Sequence, residues 1–361
     1  MRAELSSEQR AALDAFKTPA YLPDAEAPYH GASHPKKTWA AAEELIHRCE
    51  KYGVSIDRVV LRAANEMHDA YSHAPPNALG YPSAEALAAD LARHYCTIAL
   101  GMSQEQADNV AGVILATNPN VLPTTPEQII MRLADLANVG GDYAGFKEAA
   151  CALHTEAQNL NGTSVEFKDW IKGSFRYLGQ FLWPMLELTP EDWDDAGRSV
   201  FHANALRNMI KLWSETFDEK PKIQAEFFPH GQIAPALQDQ GGFYVAIHPD
   251  QESRRGSLAE LGQSANSSGG VAVAVPGNPN AFPLPDEICD EVRCHDVSLP
   301  SFAEAVRVAK IGGKIIATSS KEFAPEIKQI CSVYAHTIVK QQNAQREDLY
   351  VLTCVKDPLA E

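Results

Sequence analysis

Near residue 220 the apolar residues of this 361-residue chain change their spacing, and that change limits the fold more than any other feature. Before it, TWAAAEELIHRCEKYG, SAEALAADLARHYCTIALG and PEQIIMRLADLANVGG place apolar residues three or four positions apart and are rich in Ala, Leu and Glu. That is the pattern of amphipathic helices. Ser83 stands where an N-cap would, and Pro126 suits a first helical turn. Helices are expected to continue through VEFKDWIKGSFRYLGQFL and PEDWDDAGRSVFHANALRNMIKLWSETF. Glu191, Asp192, Asp194 and Asp195 would open the second of these, facing the positive end of its dipole. After DEKPKIQ, which reads as a linker, short β-branched or aromatic runs take over at 242–248, 270–275, 313–318 and 349–355. The helical candidates SFAEAVRVAKI and KEFAPEIKQICSVYAHTIV lie among the later runs, so strand and helix alternate as in an α/β layer with parallel pairing. QESRRGSLAELGQSANSSGG is polar and Gly/Ser-rich and reads as a surface loop. The expected division is a helical domain over residues 1–218 and a smaller α/β domain over 219–361.

Composition removes several classes of function. With 45% hydrophobic and 22% charged residues, 22 Gly and 23 Pro, the chain is neither wholly disordered nor collagen-like. Its aliphatic runs, such as 271–275, fall far short of the ~18 residues that span a bilayer. The opening MRAELSSEQRAALDAF lacks the apolar core of a secretory signal. Seven scattered cysteines without a CxxC pair read as reduced thiols. A cytoplasmic location without a membrane partner is expected. The net charge of −16 repels a phosphate backbone, so a nucleic-acid duplex is not an expected partner. A small anion is still allowed, because it needs only a local positive site.

Three stretches of the helical half concentrate metal-ligating residue types: Tyr29-His30-Gly31-Ala32-Ser33-His34, Glu66-Met67-His68-Asp69 and Ala134-Asp135-Leu136-Ala137-Asn138. Imidazole nitrogens and carboxylate oxygens suit borderline to hard divalent cations. On a regular helix the adjacent His68 and Asp69 point apart, so they share an ion only where the backbone lets both converge. Asp135 follows the apolar run IIMRLA and should lie near the core. A buried carboxylate without a cation or donor costs on the order of 3 kcal/mol or more.

The order of these pieces resembles the HD-domain superfamily of metal-dependent phosphohydrolases over roughly residues 20–215: a Tyr-His opening with His34, then His68-Asp69, then Asp135. The ILATNPN and LADLANVGGDYAGF stretches share the character of one bacterial branch. The resemblance implies an all-α HD-domain helical bundle followed by a Rossmann-like α/β domain. It implies His34, His68, Asp69 and Asp135 as ligands of one divalent metal, whether Mn, Mg, Ni, Co, Fe or Zn. The implied reaction is release of phosphate from a small phosphorylated molecule, a nucleotide being the first candidate, with Asp69 orienting or deprotonating the metal-bound water. His30 corresponds to the histidine that protonates a leaving oxygen in related phosphodiesterases, and its competing reading is a helix-entry histidine bonded to backbone. Lys36, Lys37 and Arg132 are candidates for holding the phosphate, against ordinary solvated roles. Asp142 reads as an acid behind the ligands or as a helix N-cap. Binuclear relatives need further histidines. Here His73 and His94 are the candidates, against a loop and a helix-surface role, and Thr117 in ATNPN stands where a later ligand would, so one ion is expected. Two other functions compete: a non-catalytic nucleotide-binding sensor or scaffold, and a di-iron HD-type oxygenase.

In the C-terminal half, Cys294-His295-Asp296 repeats the HD dipeptide without a partner histidine at helical spacing and reads as chance. The spacing of Cys289 and Cys294 is not that of a zinc knuckle. The order of elements over residues 292–357, and VRVAKIGGKIIA above all, resembles the last strands of class I methyltransferases. The glycine-rich first loop of that fold is not evident, because GGFYVAIHPD has its glycines before the strand. A degenerate Rossmann-like accessory or dimerisation module is implied, with which a homo-oligomer is compatible.

Overall fold

The computed structural model describes residues 4–162, 164–181, 187–227, 242–248, 271–277, 280–294, 299–320, 339–342 and 349–356. The chain forms two compact units, Met1–Glu166 with Leu186–Glu191, and Phe167–Met185 with Asp192–Glu361. The expected boundary at 218 therefore meets a structure in which the helices at 167–181 and 200–217 belong with the sheet.

The first unit is built from α1 (Ser7–Ala20), α2 (His34–Lys51), α3 (Arg58–Met67), α4 (Ala84–Ile98), α5 (Gln104–Leu115), α6 (Pro126–Asp135), the single turn α7 (Ala137–Gly140) and α8 (Tyr143–Asn161). Their starts are written into the sequence. Ser6, Ser103 and Thr125 form capping boxes with the glutamine three residues on. Ser83 accepts from the Ala86 amide, and Pro126 sits in the first turn of α6, both as expected. Helix α3 is the centre of the bundle. It touches α1, α2, α4, α5 and α6, and Leu61, Ala63, Ala64, Asn65 and Met67 are fully or almost fully buried. Alanines at the contacts let neighbouring helices approach closely. Ile46, Ile114 and Ile130 fill the space between them.

Among the described residues, the second unit holds α9 (Phe167–Phe181), α10 (Val200–Phe217), α11 (Leu299–Val308) and seven strands. These are β1 (Lys222–Phe227), β2 (Gly242–His248), β3 (Val271–Pro276), β4 (Cys289–Cys294), β5 (Ala309–Ser320), β6 (Val339–Gln342) and β7 (Leu349–Val355). They form one sheet in the order β3-β2-β1-β4-β5-β7-β6. Strands β1 to β5 pair in parallel, and β7 runs antiparallel to both β5 and β6. Helix α11 crosses from β4 to β5, and α9 packs on β3. Gly179 allows that packing, since a Cβ there would lie 2.6 Å from the Ala272 carbonyl oxygen.

Two sequence expectations need correction. The segment read as a linker runs into β1, an interior strand that begins at Lys222, in which Gln224 and Glu226 alternate with Ile223, Ala225 and Phe227 and all five are buried. Polar residues buried on one face hid the strand from a reading that looks for apolar runs. The acidic segment before α10 does not open a helix either. Pro190–Asp192 makes a 3-10 turn, and Asp194 then draws the Ala196 and Arg198 amides to its own carboxylate, so the helix starts only after Ser199. The loop at 251–270, the His295-Asp296 dipeptide and the predicted helix at 321–339 lie outside the described residues, apart from Val339, which opens a strand rather than closing a helix.

Gly179→Ala should destabilise the chain by about 1–3 kcal/mol through overpacking. Gly173→Ala, on the same helix with nothing within 4 Å of the added carbon, should instead stabilise it by about 0.5–1 kcal/mol. Urea unfolding of the two variants checks both signs.

Candidate functional site

Three helix ends of the first unit meet at one point. His34 is the first residue of α2, Asp135 the last of α6, and His68-Asp69 follow the end of α3. Adjacent His68 and Asp69 converge because the chain leaves the helix there in tight turns. Ala70 donates to the Met67 carbonyl and Ser72 to that of Asp69, while Tyr71 takes a left-handed φ of 59°. The Tyr71 amide is tied to the Ala20 carbonyl, which fixes the turn against the end of α1.

The four side chains each offer a ligand atom, all within 4.8 Å of one another. His34 Nε2 lies 3.1 Å from Asp69 Oδ2 and 3.3 Å from Asp135 Oδ1. His68 Nε2 lies 3.0 Å from the same Asp69 oxygen, 3.5 Å from Asp135 Oδ1 and 3.2 Å from His34 Nε2. His68 Nδ1 donates to the Asn65 carbonyl at 2.9 Å, which fixes the ring and turns Nε2 toward the centre. Asn65 is itself held by the Pro35 carbonyl, and Thr38 Oγ1 lies 3.3 Å from His34 Nε2.

Charge is concentrated here. Burial alone would raise the Asp69 carboxyl, but the His68 and His30 charges and bonds from His34 and His68 hold it well below its ordinary range. Burial works the same way on Asp135, and its imidazole neighbours bring it down to about 2. Burial would lower His68, yet Asp69 and Asp135 push it well above the usual imidazole value. Asp69 Oδ2 is buried and makes no hydrogen bond of regular geometry, although two imidazole nitrogens face it. Two nitrogens and two carboxylate oxygens around a buried centre fit a borderline to hard divalent cation.

His30 is a neighbour of this cluster, its ring centroid 5.5 Å from that of His34. Glu156 of α8 holds it there, accepting from the Tyr29 and His30 amides at 2.9 and 2.8 Å and facing His30 Nδ1 at 2.6 Å. Burial would lower the His30 pKa, but Asp69 and Glu156 raise it. The remaining candidates are dispersed. Lys37 is exposed and lines a cavity of about 280 Å³ with Tyr29, His34, Asp135, Asn138 and Glu148. Lys36 is exposed. Arg132 is fully buried and donates to the Ala116, Asn118 and Val121 carbonyls, so it ties α6 to the end of α5 and does not present itself to a phosphate. Asp142 caps α8 through the Gly145 amide. His73 and His94 are exposed outside the cluster, and Thr117 is buried against the Ile114 carbonyl.

Glu156 and Asn65 were missed in the sequence. Asn65 stands three residues before His68, a spacing that one turn of helix explains. Glu156 is a single acid in an ordinary helix, 126 residues from His30, and no local pattern marks it.

No family model matches the chain, and no curated protein does. Among solved structures, a predicted O-methyltransferase from Agrobacterium tumefaciens matches at 14% identity, covering 37% of this chain and 74% of that one, with a TM-score of 0.31. A putative S-adenosyl-L-methionine-dependent methyltransferase from Methanococcus maripaludis matches at 12%, covering 41% and 84%, with a TM-score of 0.28. A putative methyltransferase from Bacillus halodurans matches at 11%, covering 37% and 88%, also at 0.28. The strand order is read from the chain's own backbone pairing and does not rest on these matches.

These findings correct the expectation of an HD-domain phosphohydrolase with one divalent metal as its cofactor. The solved structures reported above are named as predicted or putative methyltransferases, and no family model or curated protein supplies an HD-domain relative. The di-iron and nucleotide-sensor readings, built on the same resemblance, fall with it. The loss of Arg132 from the expected phosphate site agrees with that correction. The parallel α/β architecture expected for the C-terminal half is present. Among the described residues no helix is long and apolar enough to cross a membrane.

Without a cation, the cluster should stabilise the fold most between the ordinary carboxylate and ordinary imidazole ranges. Stability from Asp69 and Asp135 is present above their unfolded values, near 4, and is lost as pH falls through their depressed folded values. Stability from His68 is full below about 6.5 and is lost as pH rises through its raised folded value. Thermal unfolding from pH 3 to pH 9 should trace that window, and Asp69→Asn should flatten it.

Proposed function

We propose that the α/β unit binds S-adenosylmethionine and that the chain transfers its methyl group to an acceptor. One observation carries the reading: the sheet order β3-β2-β1-β4-β5-β7-β6 with β7 antiparallel. That is the arrangement of the class I methyltransferase fold, which residues 292–357 already resemble in sequence. The order reverses between β1 and β4, and open α/β sheets bind their ligands beyond the carboxyl ends of the strands at such a reversal. At that edge Phe227, Ile247 and Cys294 are buried and apolar, and Glu226 is buried beside them, accepting from the Tyr244 hydroxyl. An apolar wall suits the purine of a nucleoside, and a carboxylate suits hydroxyl and cationic groups. The sequence departs from the family after β1, where Phe228, Pro229 and His230 replace a glycine-rich turn. The donor would supply an activated methyl group on sulfur, leaving S-adenosylhomocysteine.

For the helical unit we propose a binding role alone: His34, His68, Asp69 and Asp135 form a cation site, as the chemistry of the donor set supports. It is not proposed as a centre of hydrolysis.

Equilibrium dialysis of the full chain with methyl-labelled S-adenosylmethionine should give saturable binding. At a hundred times Kd the ligand should add about 3 kcal/mol to the unfolding free energy, read as a rise in Tm. Absence of binding at millimolar donor would remove the methyl-transfer reading and leave the fold as a scaffold.

A further inference from the structure

We infer that the cavity beside the His/Asp cluster takes a small zwitterion of the amino-acid kind, its carboxylate held by Lys37 and its ammonium by Glu148. The inference goes beyond the methyl-donor reading and does not rest on it, since it concerns the helical unit alone. The cavity, at about 280 Å³, lies at the small end of ligand pockets and admits only a compact molecule. Lys37 of α2 and Glu148 of α8 both line it and are both exposed. Among the described residues neither takes part in an ion pair or side-chain hydrogen bond, with each other or with a third group. Two opposite charges on one cavity wall, left unpaired, complement a ligand carrying both signs.

The charge balance argues against a polyanion. Lys37 is the one Lys or Arg side chain among the lining residues, and Glu148 is the carboxylate that faces it without a partner, since the Asp135 charge is already countered by the His34 and His68 imidazoles. Arg132, which would have altered that balance, is buried and bonded to backbone carbonyls. A dianionic phosphate would find one lysine to hold it and the Glu148 carboxylate to repel it. A molecule carrying one charge of each sign places its ammonium at Glu148 and its carboxylate at Lys37. Asn138, also at the wall, adds an amide that can donate or accept.

L-Serine, ethanolamine and 3-hydroxypropionate form a matched probe series, since the second lacks the carboxylate and the third the ammonium. Titration calorimetry on the full chain should show serine binding at least about tenfold tighter than either partner, a difference of about 1.4 kcal/mol. Lys37→Met should bring serine down to the level of ethanolamine while leaving ethanolamine unchanged. Glu148→Gln should bring serine down to the level of 3-hydroxypropionate. Both positions are exposed, and far-ultraviolet circular dichroism of the variants confirms that the fold is kept. Tighter binding of 3-hydroxypropionate or inorganic phosphate than of serine overturns the proposal. So does serine binding that neither substitution changes, or no binding by any probe.

Discussion

Two half-buried carboxylates and two buried imidazoles crowded around one point are the constraint on which the helical unit depends. Asp69 and Asp135 repel each other, and each would be costly inside a protein alone. They are tolerated because positive charge is always close, supplied by protonated imidazole or by a cation that takes the proton's place. The surrounding bundle is arranged to keep the four together. Three helices end or begin at the cluster, and the turn after α3 is tied to α1 through Tyr71. The Asn65 carbonyl and the Pro35 carbonyl link the His68 ring to the start of α2. A helix that slid by one turn would separate the charges from their partners.

Much of the helical half was legible because its signals are local. Caps such as Ser83 and Thr125, and apolar residues at helical spacing, act within a few residues and read directly. The four cluster residues could be named for their chemistry, yet only the break in α3 after Met67 brings His68 and Asp69 to the same side. That break is a tertiary event, fixed by α1. Glu156 was invisible for the same reason, because its meaning depends on the distant loop it holds. Arg132 misled in the opposite direction. A basic residue one turn from a candidate ligand suggested phosphate, while the carbonyls left at the end of α5 claimed it.

The sheet shows a different limit. Strands with uniform apolar or β-branched runs, such as 271–276, were easy to read, whereas the interior strand β1 was not. Glu226 in β1 is buried with its charge satisfied by the Tyr244 hydroxyl on β2. The same pair shows why a strand can carry polar residues through a core: a residue of the neighbouring strand, two positions off register, supplies the donor. Activity was the least legible property of all. Resemblance in the helical half pointed to hydrolysis, which the comparisons did not bear out, and the topology of the other half became visible only once strands were paired.

The position of β7 has a consequence for how this sheet is assembled. It follows β6 in the sequence but lies between β5 and β6, so the β6 segment has no neighbour to bond until β7 has been synthesised. During vectorial synthesis, the border of β5 stays uncovered until β7 has emerged to pair with it. Such an open border is where a nascent chain is most liable to pair with the wrong strand. The helical unit, whose contacts are complete by Glu191, has no such waiting period.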